Sequence, residues 1–249
     1  MQILIGCAKT MTGLVPRLIA GGTEPAFQRN ADGIALRLAR YSADELQAML
    51  HCSAAIAKEN WFRFRRLVDP STRRPAVFSY DGMVYKKIDP ESMDDADLKY
   101  ANEHLLISSF LYGLLRPLDL INQYRLEGKV ELPGFGGTLF DYWKPILTDW
   151  LIDKVKADDG VLVDLASNEF KDLFDWKKVK SSVKIISPQF RVEKAGKLKT
   201  VVVYAKMCRG AMTRWILMNR ISDQEQLRQW EYEGFRWDGD WNFNLKVTD

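Results

Sequence analysis

Two short apolar runs, Ile3-Leu4-Ile5 and Val161-Leu162-Val163, each pass straight into polar residues. The first is followed by Ala8-Lys9-Thr10 and the second by Asp164-Leu165-Ala166-Ser167-Asn168-Glu169. Apolar runs this short read as buried strands, and the second opens a helix at once. Between and after them lie segments of helical spacing. Leu46, Met49 and Leu50 predict a helix over residues 43–62, and residues 94–115 read as a helix with an apolar second half. Pro117 then fits the start of another helix or a turn. Residues 138–156 read as a third long helix, with Trp143, Ile146, Leu147, Trp150 and Leu151 on one side, and residues 205–220 as a fourth.

Hairpins are signalled as well. Asp81-Gly82 sits between Ala76–Tyr80 and Met83–Tyr85, and Asp-Gly is a strong turn signal. Residues 183–192 and 198–204 alternate across Lys194–Lys197, and the tail 230–247 carries period-2 aromatics around Asp238-Gly239. Gly13, Pro16, Gly21, Gly22 and Pro25 make a loop-rich segment. Long helices mixed with hairpins predict an α+β, or mixed α/β, fold over a regular βαβ repeat. No linker, repeat or low-complexity tract divides residues 1–249, so one domain is expected.

Composition narrows the function classes. The 249 residues are 47% hydrophobic and 28% charged, the globular balance, with a net charge of +3. No apolar run reaches the roughly 18 residues of a membrane span, and Met1–Ile5 lacks the basic region of a secretory signal. Cys7, Cys52 and Cys208 are odd in number and far apart, which fits a reducing, cytoplasmic setting. With two histidines and no C-x-x-C or H-E-x-x-H, neither a His/Cys zinc site nor a cofactor is expected. An all-carboxylate metal site leaves no spacing signature and stays open.

Four stretches are candidates for chemistry. On the helix 205–220, Lys206, Arg209, Thr213 and Arg220 fall within about 60° of one another, opposite Met207, Ala211, Trp215 and Met218. That ridge reads either as a solvated face or as an anion site. Gly210 beside it weakens the helix by roughly 1 kcal/mol unless a close approach requires it. Leu111–Glu127 reads either as two short helices whose hairpin amides face a phosphate, with Arg116 and Arg125 supplying charge, or as a corner with Arg116 paired to Asp119. Asp164–Glu169 lies at a strand end, where ligand crevices form, although Ser167 or Asn168 as a helix cap explains it equally. Ala8-Lys9-Thr10 lacks the glycines of a phosphate loop.

Three further features have bland readings. The acids of 89–97 read as a helix start. Trp61–Arg66, with Arg73 and Arg74, interleaves aromatics and arginines as single-strand binders do, or simply ends a surface helix. Cys7, two residues from Lys9, is either a thiol whose pKa that charge lowers or an inert filler.

Ala8-Lys9-Thr10, Leu111–Leu120, Tyr124–Glu127, Asp164–Glu169, Tyr204-Ala205-Lys206, Arg209-Gly210 and Glu233-Gly234-Phe235 together resemble the peroxide stress protein YaaA family, in the family's order. The resemblance implies a cytosolic protein of compact mixed α/β fold that limits hydrogen peroxide and iron-driven damage. It also implies DNA binding through a basic cleft and a helix-hairpin-helix-like element, best matched by Tyr112–Leu120. The chain departs from the family pattern at Gly6-Cys7 (usually Ser-Pro), Phe110 (Gly), Gly128 (Met) and Phe170 (Tyr).

Two functions follow. One is a DNA-binding protein using Lys9, Arg116, Arg125, Lys206 and Arg209. The other is an enzyme on a nucleotide-like or other anionic small molecule, with Glu127 or Glu169 as base and Ser167 nearby. Tracking phosphates needs no carboxylate, whereas acid–base work does. Convergence of these residues in one pocket would favour the enzyme, and an open groove some 20 Å wide would favour duplex DNA.

Overall fold

The computed structural model describes residues 1–13, 21–194 and 196–246; Pro16 and part of the loop-rich segment lie outside them. A five-stranded sheet organises the fold, in the order Gly113–Leu115, Leu105–Ser109, Gln2–Gly6, Val161–Asp164, Lys184–Ile186. Four of the strands are parallel, and Gly113–Leu115 pairs antiparallel at one edge. Ile3, Leu4 and Ile5 on the central strand are fully buried, as the uniformly apolar run requires of a parallel sheet covered on both faces. The mixed α/β expectation holds.

A second five-stranded sheet joins Glu231–Tyr232, Phe235–Trp237, Asn242–Lys246, Gln189–Lys194 and Lys197–Lys199. Its core is aromatic: Phe190, Trp230 and Phe243 meet with ring centroids 5.4–5.8 Å apart. One buried cluster runs through both sheets. Among the described residues no helix is long and apolar enough to cross a membrane.

The helix expected over 94–115 ends at His104. Asp94 caps Asp95–His104 through a capping box, and Leu105 begins a strand of the main sheet. The apolar second half therefore enters the sheet, where both faces are covered. The helix-hairpin-helix-like element read at Tyr112–Leu120 is corrected with it: Gly113–Leu115 is an edge strand, followed by a turn.

The helix expected over 43–62 is two helices, Ala43–Leu50 and Ala54–Arg66. His51 takes a left-handed conformation between them (φ 45°), and Ser53 caps the second. The hairpin expected around Asp81-Gly82 is instead two short helices, Ala76–Ser79 and Met83–Ile88. The long helix Leu139–Lys156 forms as expected, capped by Thr138. Residues 202–204, expected in a strand, open the helix Val202–Met218.

Candidate functional site

The main sheet sets the site. From the central strand Gln2–Gly6 the chain next enters the sheet on one side, at Leu105–Ser109, and later on the other, at Val161–Asp164. Such a reversal opens a crevice beyond the carboxyl ends of the strands. Cys7-Ala8-Lys9-Thr10 leaves the central strand at that edge. Ser167 and Glu169 follow Val161–Asp164 there, in and before the 3₁₀ turn Asn168–Leu173. Ser167 occupies the cap position of that turn without its hydroxyl bonding the turn's amides. The capping explanation for Ser167 is thereby set aside.

Lys9, Ser167, Glu169, Lys206 and Arg209 line one cleft of about 240 Å³. Lys206 and Arg209 come from the helix Val202–Met218, which packs against Met83–Ile88. Gly210 marks the crossing, since a Cβ there would lie 2.2 Å from the Val84 carbonyl oxygen. The close approach that Gly210 serves is thus backbone on backbone, and it sets Arg209 at the cleft wall.

Lys9 ties the charges together. Its ammonium stands 2.9 Å from Glu127 Oε2 and 3.4 Å from Glu169 Oε1. Glu127 Oε1 in turn lies 3.5 Å from Arg125 Nη2. Desolvation acts to lower the Lys9 pKa, but the hydrogen bond and charge of Glu127, with Glu169 behind them, raise it above its ordinary value. Arg209 is lowered by desolvation, which the nearby Asp164 partly offsets. Two carboxylates and three cations, with a hydroxyl beside them, suit anion binding with proton transfer.

The other candidates are placed differently. Arg116 Nε and Nη2 bind Asp119 Oδ1 at 3.1 and 2.9 Å, and Nη2 also donates to the Glu24 carbonyl. It serves the corner and does not line the cleft. Arg125 reaches the site only through Glu127. The amides of Leu111 and Tyr112 donate to Ser109 Oγ, and that of Arg116 to Asp119, so they face no phosphate. The ridge on the helix Val202–Met218 divides. Thr213 is buried and donates to the Arg209 carbonyl, while Arg220 pairs with Asp97 over the Tyr100 ring. The other residues buried on that helix are Ala205, Cys208, Gly210, Met212, Ile216 and Leu217, whereas Met207, Ala211, Trp215 and Met218 stay partly exposed.

The Cys7 thiol is pushed up to about 12. Desolvation is the main cause, eased by the Tyr124 hydrogen bond and reinforced by Glu169. Of the two readings of Cys7, the thiol activated by Lys9 is set aside, because desolvation raises the thiol and Glu169 adds to the rise. Asp81 and Tyr85, absent from the sequence candidates, also line the cleft. Asp81-Gly82 was legible as a turn, but nothing in the text of the chain indicated where that turn would fold. Asp164 is buried and holds the junction through Lys171 and the Ala166 amide. Among the described residues no group of three or more His, Cys, Asp or Glu is placed to hold a metal ion.

The departures from the family pattern meet in space. Phe110 and Phe170 stack at 5.0 Å, and Phe110 contacts Phe140 edge-on at 5.6 Å. A Cβ on Gly6 would lie 2.1 Å from the Phe170 ring, and one on Gly128 would lie 2.3 Å from that of Phe140. Two glycines thus make room for the ring stack, and Phe170 reaches the cleft wall.

The family model of the peroxide stress protein YaaA matches residues 1–240. A UPF0246 protein of Phocaeicola vulgatus is 50% identical, over 96% of this chain and 94% of its own. A UPF0246 protein of Bacteroides fragilis is 48% identical over 100% of this chain and 95% of its own, and one of Porphyromonas gingivalis is 42% identical over 94% and 93%. With a match of that extent over the strands, the cleft and the helix that walls it, the chain belongs to the peroxide stress protein YaaA family.

Proposed function

We propose that the cleft binds a small anionic molecule and transfers a proton to or from it, as part of the protection against peroxide and iron-driven damage that goes with the family. One observation carries this reading. Residues from separate stretches of the chain converge on about 240 Å³, and the Lys9 ammonium there is shared by Glu169, on the cleft wall, and Glu127, outside its lining. Lys206 and Arg209 hold the anionic group. Glu169, on the cleft wall, is the proton-transfer group, while Glu127, held by Arg125, keeps Lys9 in place.

Duplex DNA is the second reading. It is favoured by the exposure of Lys9 and Lys206 on the cleft. Against it, the two carboxylates would repel a phosphate backbone, and Arg116 is already engaged. Inorganic phosphate titrated while the lysine ammonium signals are followed by NMR separates the two. A small-anion site predicts that Lys9 and Lys206 shift together and saturate, and that Arg209→Ala abolishes both shifts. Shifts spread evenly over surface lysines would refute it. A salt-sensitive DNA complex, with a slope of log K against log salt of roughly −3 for three or four phosphate contacts, would favour DNA.

A further inference from the structure

The aromatic and arginine stretch Trp61–Arg66 takes no part in the cleft. It ends the helix Ala54–Arg66, where Phe64 is buried and Phe62 is 53% exposed. A second cavity, of about 440 Å³, opens beside it, walled by Phe62, Arg63 and Arg66 of this helix together with Arg74 and Gln123. A backbone seam separates the two cavities. Met11 pairs with Tyr80, the Asp81 amide donates to Thr10, and the Thr12 amide donates to Ser79. Thr10 and Asp81 belong to the cleft, and Thr12 and Ser79 to the second cavity.

We infer that this second cavity binds a phosphate monoester carried on a flat ring, a mononucleotide. Three guanidinium groups from two elements face it, against one carboxylate, Glu59, which sits 2.6 Å from Arg63. The wall therefore carries surplus positive charge. Arg63 is paired with Glu59, so the surplus rests on Arg66 and on Arg74, which also donates to the Arg73 carbonyl. Guanidinium forks match phosphate oxygens in pairs, where an ammonium would act as a point charge.

The aromatic half of the site is equally built. Trp61 meets Phe62 edge-on at 4.9 Å, and Arg65 lies over the Trp61 ring at 3.8 Å. These contacts hold the Phe62 ring in place while leaving it open to solvent. An open phenyl face offers stacking to a base. Gln123 adds an amide that can donate to or accept from the edge of that base. The volume lies within the range of small-molecule sites and admits one nucleotide.

This site is independent of the cleft, and the experiment keeps the two apart. Adenosine monophosphate, adenosine, inorganic phosphate and a ten-residue oligothymidylate are titrated calorimetrically into the full chain and into Arg66→Ala, Phe62→Ala and Arg209→Ala. Arg66 and Phe62 are exposed, so their variants fold. The expected result is adenosine monophosphate binding at least tenfold tighter than either half alone. Arg66→Ala and Phe62→Ala should each weaken it about tenfold or more, and Arg209→Ala should leave it unchanged. Loss in Arg209→Ala alone would place the nucleotide in the cleft and overturn the inference. So would affinity no better than that of phosphate when both are measured in Arg209→Ala, where the cleft no longer takes phosphate, or oligothymidylate binding without mononucleotide binding.

Discussion

Lys9 stands between Glu127 and Glu169, whose charges, against desolvation, hold its ammonium above the ordinary lysine value. Glu127 is the nearer and supplies the larger share of that support. Glu127→Gln should therefore bring the Lys9 titration down, measurable by NMR of its side chain; an unchanged titration would show that the groups are not coupled. Cys7 gives a second residue-level prediction. With its thiol at about 12, alkylation of the native protein should show no thiolate inflection between pH 7 and 10, whereas the urea-unfolded chain should show one near the ordinary cysteine value. Mass spectrometry of the labelled peptide reads this, and rapid native labelling at pH 7 would contradict it. At this scale the polar residues of the motifs were legible as residue types. The pairing of Arg116 with Asp119 was legible as one of two readings, since they lie three positions apart, and the structure selects it. The place of Glu127 beside Lys9 was not, because only the fold brings those two stretches together.

At the scale of elements, the crossing of Val202–Met218 on Met83–Ile88 fixes where Arg209 stands. The Val84 carbonyl leaves no space for a methyl group at Gly210. Gly210→Ala should destabilise by about 1–3 kcal/mol, as overpacking does, despite improving helix propensity. Thermal or urea unfolding measures this, and a stabilised variant would mean that the crossing is looser than described. The helix Leu139–Lys156 was legible from its spacing, whereas its Thr138 cap and the helices Gln28–Leu38 and Trp176–Ser182 were not read. The strand Leu105–Ser109 was not legible. A short all-apolar run carries no period of its own, so Leu105-Leu106-Ile107 was absorbed into the helix preceding it. Asp81-Gly82 misled for a related reason: the chain only bends at Gly82, and the flanking residues are drawn into short helices packed on the core.

For the whole molecule, the parallel sheet gathers into one place residues that lie far apart in the chain. The mixed α/β class was readable from the mixture of long helices and hairpins, although one of those hairpins is a pair of short helices. The cleft was not, because it depends on strand order, which no local pattern encodes. The core also buries protons. Cys7, Cys208 and Tyr112 are each pushed up to about 12, and Tyr80, Tyr85 and Tyr124 are raised well above the ordinary tyrosine value, burial being the main cause in each. These groups keep their protons in the folded chain and lose them first in the unfolded one. Stability is therefore whole below about pH 8.5, the ordinary cysteine value, and falls as pH rises toward 12. The fall approaches about 1.4 kcal/mol per pH unit for each group ionised in the unfolded chain alone. Melting temperatures measured from pH 8 to 11 should decline with increasing slope, and a flat profile would contradict this burial. The central claim, that the cleft works on a small anion and needs its carboxylate, is tested most directly by peroxide survival of cells relying on Glu169→Gln or on Arg209→Ala, with folding checked by thermal melt. The account predicts loss of protection from both variants, the glutamate variant by a factor on the order of 10²–10⁴ in any underlying rate. Full protection from Glu169→Gln, with loss from Arg209→Ala alone, would contradict it.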